Sequence, residues 1–404
     1  QQGYYYTFGS VIAIQIFFEL GLSSIITQYV AHEMAGLHFE TDGTLTGDPK
    51  NQSRVSSLLR FCIKWFSIIA LVFFLVLLIV GFFFFTNFHD NAAVSWKGPW
   101  VILALATSGF LLFDPVLAFV EGLGKVKEIA KMRMVQQSVY VLSVITFLIL
   151  GFNLYSSALA TLLSFLSIAG MLLFSDKFYL LKTIWYLKSD WQVNYRQEIF
   201  PYQWKIALSW ISGYFIFQLF NPVIFATEGP AAAGQMGITL AALNGVIGLS
   251  MSWINTKIPV FSGFIANRKY EELDKLFFRS FSQSLFITAC GVCTLFILVS
   301  FLQAQNIQIG YRFLSSYPLA FMCLSFLLNN ICFGLATYLR CHKKEPLLIQ
   351  SIVFAILTAL STLVVGRAFG VFGITLGYLL LVGAIGVPWV YAVFHFKRKE
   401  WHQI

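Results

Sequence analysis

Residues 67–85 read SIIALVFFLVLLIVGFFFF and contain no charged side chain. An α-helix needs about 20 apolar residues to cross the hydrocarbon core of a bilayer, so this stretch has the length and character of a membrane span. Other stretches of the chain share this character. The eleven predicted spans are 8–31, 63–86, 99–121, 134–152, 155–175, 205–227, 237–260, 281–302, 316–338, 347–366 and 371–394.

The composition of the whole chain leads to the same fold class. Of the 404 residues, 58% are hydrophobic and 11% are charged, whereas soluble domains carry about 25% charged residues. Such a chain has too few polar groups to cover a water-facing surface. The composition therefore excludes a soluble enzyme, a disordered chain and a disulfide scaffold. It predicts an all-α membrane protein with about 11 transmembrane helices.

The basic residues are distributed unevenly between the two sets of loops. Most of the 27 Lys and Arg residues fall in alternate loops and at the carboxyl end, and the opposite loops contain Lys97, Arg312 and Arg367. Because cytoplasmic loops are rich in Lys and Arg, the loops 32–64, 122–133, 176–205, 267–279 and 340–346 are predicted to be cytoplasmic. The net charge of +9 then faces an anionic inner leaflet, and no nucleic-acid partner is needed to explain it.

One long connection divides the chain. Residues 176–204 mix charged side chains with Trp and Tyr, a pattern typical of a segment at the membrane interface. We therefore predict an amino-terminal lobe over 1–175, a cytoplasmic interfacial linker over 176–204 and a carboxyl-terminal lobe over 205–404.

The two predicted lobes resemble each other weakly in sequence. Gly3 begins GYYYTFGSVIAIQ and Gly234 begins GQMGITLAALNG, and GKVKE (124–128) resembles CHKKE (341–345) in the same order along the chain. These pairs predict a parallel internal repeat. The span 205–227 then has no counterpart, so we expect one further helix before Gln1 and about 12 spans in the intact protein.

The region from Trp204 to Arg279 carries a family resemblance. It contains the pair Asn221-Pro222, Ala233-Gly234 at the start of the next helix, and Pro259 near the end of that helix. A basic stretch from Arg268 to Arg279 follows. These features resemble the Wzx-type O-antigen and polysaccharide flippases of the multidrug/oligosaccharidyl-lipid/polysaccharide exporter (MOP) superfamily.

The resemblance implies a fold and a function. It implies two pseudo-symmetric six-helix lobes around a central cavity, in a multi-pass protein of the bacterial inner membrane that serves O-antigen and lipopolysaccharide biosynthesis. It also implies alternating access that moves an undecaprenyl-pyrophosphate-linked oligosaccharide from the inner to the outer leaflet, coupled to a proton or sodium gradient. No nucleotide-binding loop is present in the sequence and no cofactor is expected.

Two carboxylates lie in the middle of predicted spans. Ionisable groups at membrane depth are costly, so Glu19 and Asp114 are candidates for ion coupling. Pro115 follows Asp114 and is expected to kink the helix, and Glu121 lies on the same helix face as Asp114. The alternative is a structural hydrogen bond between helices at the kink.

Cationic side chains near the cytoplasmic ends of the spans are candidates for binding pyrophosphate. They are Lys257, Arg60, Arg279 and Lys64. Lys257 has the alternative of extending to the interface as a snorkelling side chain. Gln15 and Asn221 are candidates for contacts with sugar, with bonding between helices as the alternative.

Other functions remain open. The acidic residues Glu19 and Asp114 favour a drug/cation antiporter of the related multidrug branch, whereas the basic residues favour the flippase. A membrane enzyme would need a larger extramembrane loop than the chain contains, so no catalytic residue is predicted. Cys290 and Cys293 have the spacing of a redox or metal motif but lie within an apolar run, and no metal site is predicted.

Overall fold

The computed structural model describes residues 1–402 apart from 41–43, 89–93, 188–189 and 343. These gaps lie within four of the connections between predicted spans. Within the described residues, nine helices are long and apolar enough to cross a membrane. The chain is an all-α, multi-pass membrane protein, as the composition predicted.

The helices follow one another with short connections. Their bounds are α1 Gln2–Ile12, α2 Ile16–Glu19, α3 Leu22–Glu33, α4 Pro49–Asn87, α5 Lys97–Gly122, α6 Val126–Ile149, α7 Tyr155–Leu173, α8 Asp176–Tyr186, α9 Phe200–Phe217, α10 Phe220–Glu228, α11 Pro230–Asn255, α12 Ile258–Ala266, α13 Tyr270–Ala304, α14 Ser316–Cys341, α15 Leu348–Leu381 and α16 Val387–His402. Two three-residue strands, β1 Leu37–Phe39 and β2 Leu45–Gly47, pair antiparallel between α3 and α4.

The chain forms two compact units. The first unit consists of Gln1 and Val11–Ile211, and the second of Gln2–Ser10 and Ser212–Ile404. Residues 2–10 therefore belong with the carboxyl-terminal half of the chain. The predicted lobe and linker boundaries at 175 and 205 remain a prediction.

In the first unit, α5 packs against α3, α4 and α7. A Cβ built on Gly81 of α4 would lie 2.0 Å from Nε1 of Trp100 on α5. The same indole nitrogen donates to the Leu77 carbonyl oxygen at 3.0 Å. Gly81 thus allows the fully buried Trp100 ring to approach the α4 backbone.

In the second unit, hydrogen bonds between polar side chains link the packed helices. Asn330 on α14 donates through Nδ2 to Thr288 Oγ1 of α13 at 2.8 Å. On another face of α14, Asn329 donates to the Tyr378 hydroxyl of α15, also at 2.8 Å. Apolar surfaces gain little by leaving lipid for a protein interior, so such bonds contribute to helix association in a membrane.

The first predicted span, 8–31, is not one continuous helix. It is divided into α1, a 3₁₀ turn at Ala13–Gln15, α2 and α3. Leu20 and Gly21 have φ values of 51° and 69°, in the left-handed region where a right-handed helix cannot continue. Gly21 adopts this backbone conformation without strain, because glycine has no Cβ. Its position in the sequence therefore marks where the helix breaks.

The second predicted span begins earlier than hydropathy suggests. α4 starts at Pro49 rather than near residue 63, because Asp48 caps it by accepting a hydrogen bond from the Lys50 backbone N–H at 3.0 Å. Asp followed by Pro is a typical helix start. The apolar span is thus the continuation of a helix that begins outside the hydrocarbon core.

The last two predicted spans, 347–366 and 371–394, belong to a nearly continuous helical segment over Leu348–His402. Gly370 interrupts it with φ 58° and ψ −144°. The Glu228 carboxylate of α10 accepts a hydrogen bond at 2.5 Å from the backbone N–H of Val371, where the helix resumes.

Candidate functional site

A groove in the second unit contains two of the predicted cationic residues. Lys257 and Arg279 both line it, and both are exposed. The groove has a volume of about 580 Å³, within the size range of small-molecule sites. The remaining lining residues are Ser252, Trp253, Thr256, Leu276, Ser280 and Gln283.

Two local features of the backbone position these side chains. Lys257 lies between α11 and α12, at the amino-terminal cap position of α12. Arg279 lies on α13, on the helix face that also carries Leu276 and Gln283, since residues three and four apart are neighbours on a helix. The groove thus lies where α11 ends and α13 passes it.

The lining of the groove has a clear chemical character. Among the residues that line it, two are cationic, four carry neutral polar groups and none is acidic. Trp253 is 45% exposed and adds an indole ring to the lining. Lys and Arg bind phosphate through charge-assisted hydrogen bonds, so this groove suits an anionic ligand with hydroxyl groups.

Arg60 has a different environment, in the first unit. Its Nε donates to the Trp185 carbonyl oxygen at 3.1 Å, and one terminal nitrogen donates to the carbonyls of Trp185 and Leu187 at 2.7 and 2.8 Å. Arg60 thus caps the carboxyl end of α8. Lys64 lies one turn further along α4 and is exposed. Neither residue belongs to the lining of the groove beside Lys257, and the contact with pyrophosphate predicted for both remains a prediction.

The candidate carboxylates lie in the first unit, in a cluster with a cation. Asp114 and Glu121 lie on α5, and Arg133 of α6 approaches both, with nitrogen–oxygen distances of 3.7 and 3.4 Å. Glu19, at the end of α2, is close enough to interact electrostatically with Asp114. Arg133 falls in a loop predicted to be cytoplasmic, and its pairing with the carboxylates was not predicted.

The two predicted sugar contacts lie elsewhere. Gln15 ends the 3₁₀ turn of the first segment and is half-buried. Asn221 is buried in α10 and donates through Nδ2 to Ser10 Oγ at 3.3 Å, while its Oδ1 has no hydrogen-bond partner among the described residues. This matches the bond between helices that was the alternative for Asn221.

Sequence reasoning missed the neutral part of the groove. Ser252, Thr256 and Gln283 carry no charge, so they do not stand out among the other Ser, Thr and Gln residues of the predicted spans. Their spacing was the available signal: Ser252 and Thr256 are four residues apart, as are Arg279 and Gln283, and each pair shares a helix face.

No family model matches the chain, and no curated protein matches it in sequence. Solved structures do match it. It is similar to the lipid II flippase MurJ in an inward closed conformation, with 16% identity over 96% of this chain and 81% of that chain and a TM-score of 0.60.

It is also similar to a multidrug resistance MATE family transporter of the MOP superfamily in an inward-facing conformation. The identity is 13%, over 99% of this chain and 96% of that chain, with a TM-score of 0.58. A MOP superfamily transporter from Pyrococcus furiosus matches with 14% identity over 97% of this chain and 85% of that chain, with a TM-score of 0.54.

The chain has the fold of the MOP-superfamily transporters. At these identities the likeness is one of fold. The predicted fold is thus confirmed, and the assignment to the Wzx-type flippases remains a prediction. The proteins matched are transporters and a flippase rather than enzymes.

Proposed function

We propose that this protein is a flippase that moves an undecaprenyl-pyrophosphate-linked oligosaccharide from the inner to the outer leaflet of a bacterial inner membrane. It works by alternating access and is coupled to protons or sodium ions. The molecule that it moves is the lipid-linked unit of a surface polysaccharide such as O-antigen. The fold shared with MurJ and with MATE transporters supports a transporter or flippase.

The observation that carries the proposal is the groove containing Lys257 and Arg279. Pyrophosphate is the part of the substrate that does not vary with the glycan, so a fixed cationic contact suits it. The hydroxyl and amide groups of Ser252, Thr256 and Gln283 suit the first sugar. The long apolar tail of the substrate remains in the lipid.

Binding of undecaprenyl pyrophosphate to the purified protein tests this assignment. Lys257→Ala and Arg279→Ala should each weaken binding about tenfold, the effect of one charge-assisted hydrogen bond. Lys257→Arg should retain most of the affinity. Lys275→Ala is the matched control, because Lys275 is exposed one turn before Arg279 and does not belong to the groove lining. Unchanged affinity in both groove variants would remove the anion site.

The carboxylate cluster is the proposed site of ion coupling. Glu19 and Asp114 are carboxylates in the predicted spans, and Arg133 is held between Asp114 and Glu121. A proton or sodium ion that binds Asp114 would compete with Arg133 for the same oxygen atoms. Binding of the ion would therefore release α6 from α5, which is a route from ion binding to helix movement.

Transport driven by an imposed pH or sodium gradient tests the coupling. Glu19→Gln or Asp114→Asn should leave transport independent of the gradient, while Glu128→Gln, on α6 but outside the cluster, should keep the dependence. If both cluster variants retain gradient-driven transport and fold normally, the carboxylates are structural.

The second candidate function is a drug/cation antiporter. The observation that favours it is the same group of carboxylates, Glu19, Asp114 and Glu121, because acidic side chains suit a cationic substrate. The anionic character of the ligand distinguishes the two functions, since the groove beside Lys257 repels a cationic drug.

A further inference from the structure

A second groove lies in the first unit, where three spans meet the short helix α8. It has a volume of about 310 Å³. It is lined by residues of α4, α5, α7 and α8, among them Leu112, Phe113 and Val116 of α5 and Lys182, Trp185 and Tyr186 of α8. None of these residues takes part in the proposed transport site.

The walls of this groove are almost entirely apolar. Ser67 donates its hydroxyl hydrogen to the Ile63 carbonyl oxygen at 2.7 Å, within its own helix. The polar groups that remain belong to Lys182, Trp185 and Tyr186 of α8. The groove therefore combines apolar walls from α4, α5 and α7 with a cation and two amphipathic rings on α8.

Helix α8 is held firmly at both ends. Ser175 caps its start by accepting a hydrogen bond from the Lys177 backbone N–H at 3.2 Å. Arg60 donates to the carbonyls of Trp185 and Leu187 at its end. Leu180, Leu181 and Ile184 are buried, whereas Tyr186 is 73% exposed. The helix thus has a packed face and an exposed face, as an interfacial helix does.

The cation in the groove lining defines the ligand. Lys182 is exposed, and none of the described acidic side chains forms a salt bridge with it. It belongs to a connection that the charge distribution predicts to be cytoplasmic, where the leaflet is rich in anionic lipids. A cation on the same helix face as Trp185 and Tyr186, in the lining of an apolar groove, complements a phosphate headgroup joined to an acyl chain.

We propose that this groove binds one anionic phospholipid of the membrane, with an acyl chain between α4, α5 and α8 and the phosphate at Lys182. Bound in this way, the lipid fills the groove between α8 and the helices α4, α5 and α7. It also packs against Phe113 and Val116, which flank Asp114 and Pro115 of α5.

Native mass spectrometry of the full chain in detergent tests the proposal. The wild-type protein should retain phosphatidylglycerol in preference to phosphatidylcholine. Lys182→Ala should reduce that preference about fivefold, the effect of one basic residue near an anionic surface. Lys177→Ala is the matched control, since it removes the same charge from the same helix outside the groove, and it should retain the preference.

Two further measurements separate the acyl chain from the headgroup. Leu112→Trp fills the groove and should reduce retention of phosphatidylglycerol even though Lys182 is intact. Glycerol 3-phosphate, which has the headgroup chemistry without a chain, should not displace the bound lipid. Equal retention of the two lipids by the wild type would overturn the proposal, as would an unchanged preference in Lys182→Ala. Full displacement by glycerol 3-phosphate would show a phosphate site without an acyl groove.

Discussion

At the scale of single residues, Arg54 links α4 to two other segments of the first unit, through Glu33 and Glu198. Its guanidinium contacts the Glu33 carboxylate at 2.8 Å and the Glu198 carboxylate at 2.5 Å. The Glu33 side chain is 7% exposed. Removing one partner of a buried ion pair leaves an uncompensated charge, which costs more than the pair itself contributes.

Arg54→Ala should therefore lower the free energy of unfolding by about 3 kcal/mol, measured by denaturation in detergent. Arg196→Ala is the matched control, because Arg196 is exposed near Glu198 in sequence and should change stability by less than about 0.5 kcal/mol. Adding Glu33→Gln to Arg54→Ala should recover part of the loss, since the buried charge is then gone. Equal stability of the two arginine variants would contradict this account of the cluster.

The same contact makes stability depend on pH. The hydrogen bond from Arg54, together with the backbone N–H of Asn194, lowers the pKa of Glu198. A carboxylate with a lowered pKa stabilises the fold above its unfolded pKa of about 4.3, and that contribution is lost as the pH falls through the folded value. Thermal unfolding between about pH 6 and pH 3 should show a smaller loss of stability in Glu198→Gln than in the wild type. An identical pH profile would exclude this role.

Charged residues of the candidate site could be found from sequence, whereas their partners could not. Lys257 and Arg279 were candidates because they lie near the cytoplasmic ends of predicted spans, and the structure brings them into one groove. Arg60 has the same sequence signature, yet its guanidinium caps α8. Likewise, nothing near Asp114 in sequence shows that Arg133 approaches it. Whether a cation is engaged in a structural contact depends on segments that are distant in sequence. Hydropathy does not reveal such contacts.

At the scale of helices and strands, hydropathy located the apolar segments better than it located helix ends. It placed the α4 span correctly but not its start at Pro49, because capping by Asp48 is a polar, local effect. It also predicted 8–31 as one span, although Leu20 and Gly21 break the helix there. The hairpin β1–β2 was not predicted, because strands of three residues are too short to show an alternation of apolar and polar side chains.

Gly370 offers the sharpest test at this scale. With φ 58° and ψ −144° it occupies a region open to glycine, and a Cβ there would lie 1.6 Å from Oε1 of Glu228. Gly370→Ala should lower the thermal unfolding midpoint and cost about 1–3 kcal/mol. Gly245→Ala is the control, because a Cβ at that helical position meets no atom within 4 Å, and it should be neutral or slightly stabilising. Similar unfolding midpoints for the two variants would contradict the requirement for glycine at the interruption of α15.

At the scale of the whole molecule, the composition, with 11% charged residues, indicated a membrane protein, and the length of the apolar segments indicated that the spans are helices. The sidedness of the membrane still rests on the Lys and Arg distribution. Cysteine labelling with an impermeant reagent, in a background free of native cysteines, tests it. His38→Cys should label from the cytoplasmic side and Gln308→Cys from the opposite side, because both positions are exposed. Labelling of both from one side would overturn the predicted topology.

The choice of labelling positions itself depends on the structure. Gly47 is unsuitable, because it has φ 129° and a Cβ there would lie 2.4 Å from the Gly36 carbonyl oxygen. Asn91, which follows the span 63–86 on the opposite side, lies outside the described residues. His38 and Gln308 avoid both difficulties.

The most direct test of the central claim is translocation by the purified protein in proteoliposomes. A fluorescent undecaprenyl-pyrophosphate oligosaccharide is placed in both leaflets, and its access to an external quencher or glycosidase is followed over time. Wild-type protein should move the lipid between leaflets, Lys275→Ala should match it, and Lys257→Ala combined with Arg279→Ala should be slowed to the rate of empty liposomes. If wild-type protein leaves the lipid in place but exchanges a cationic dye for protons in the same vesicles, the protein is a drug/cation antiporter and the flippase proposal is wrong.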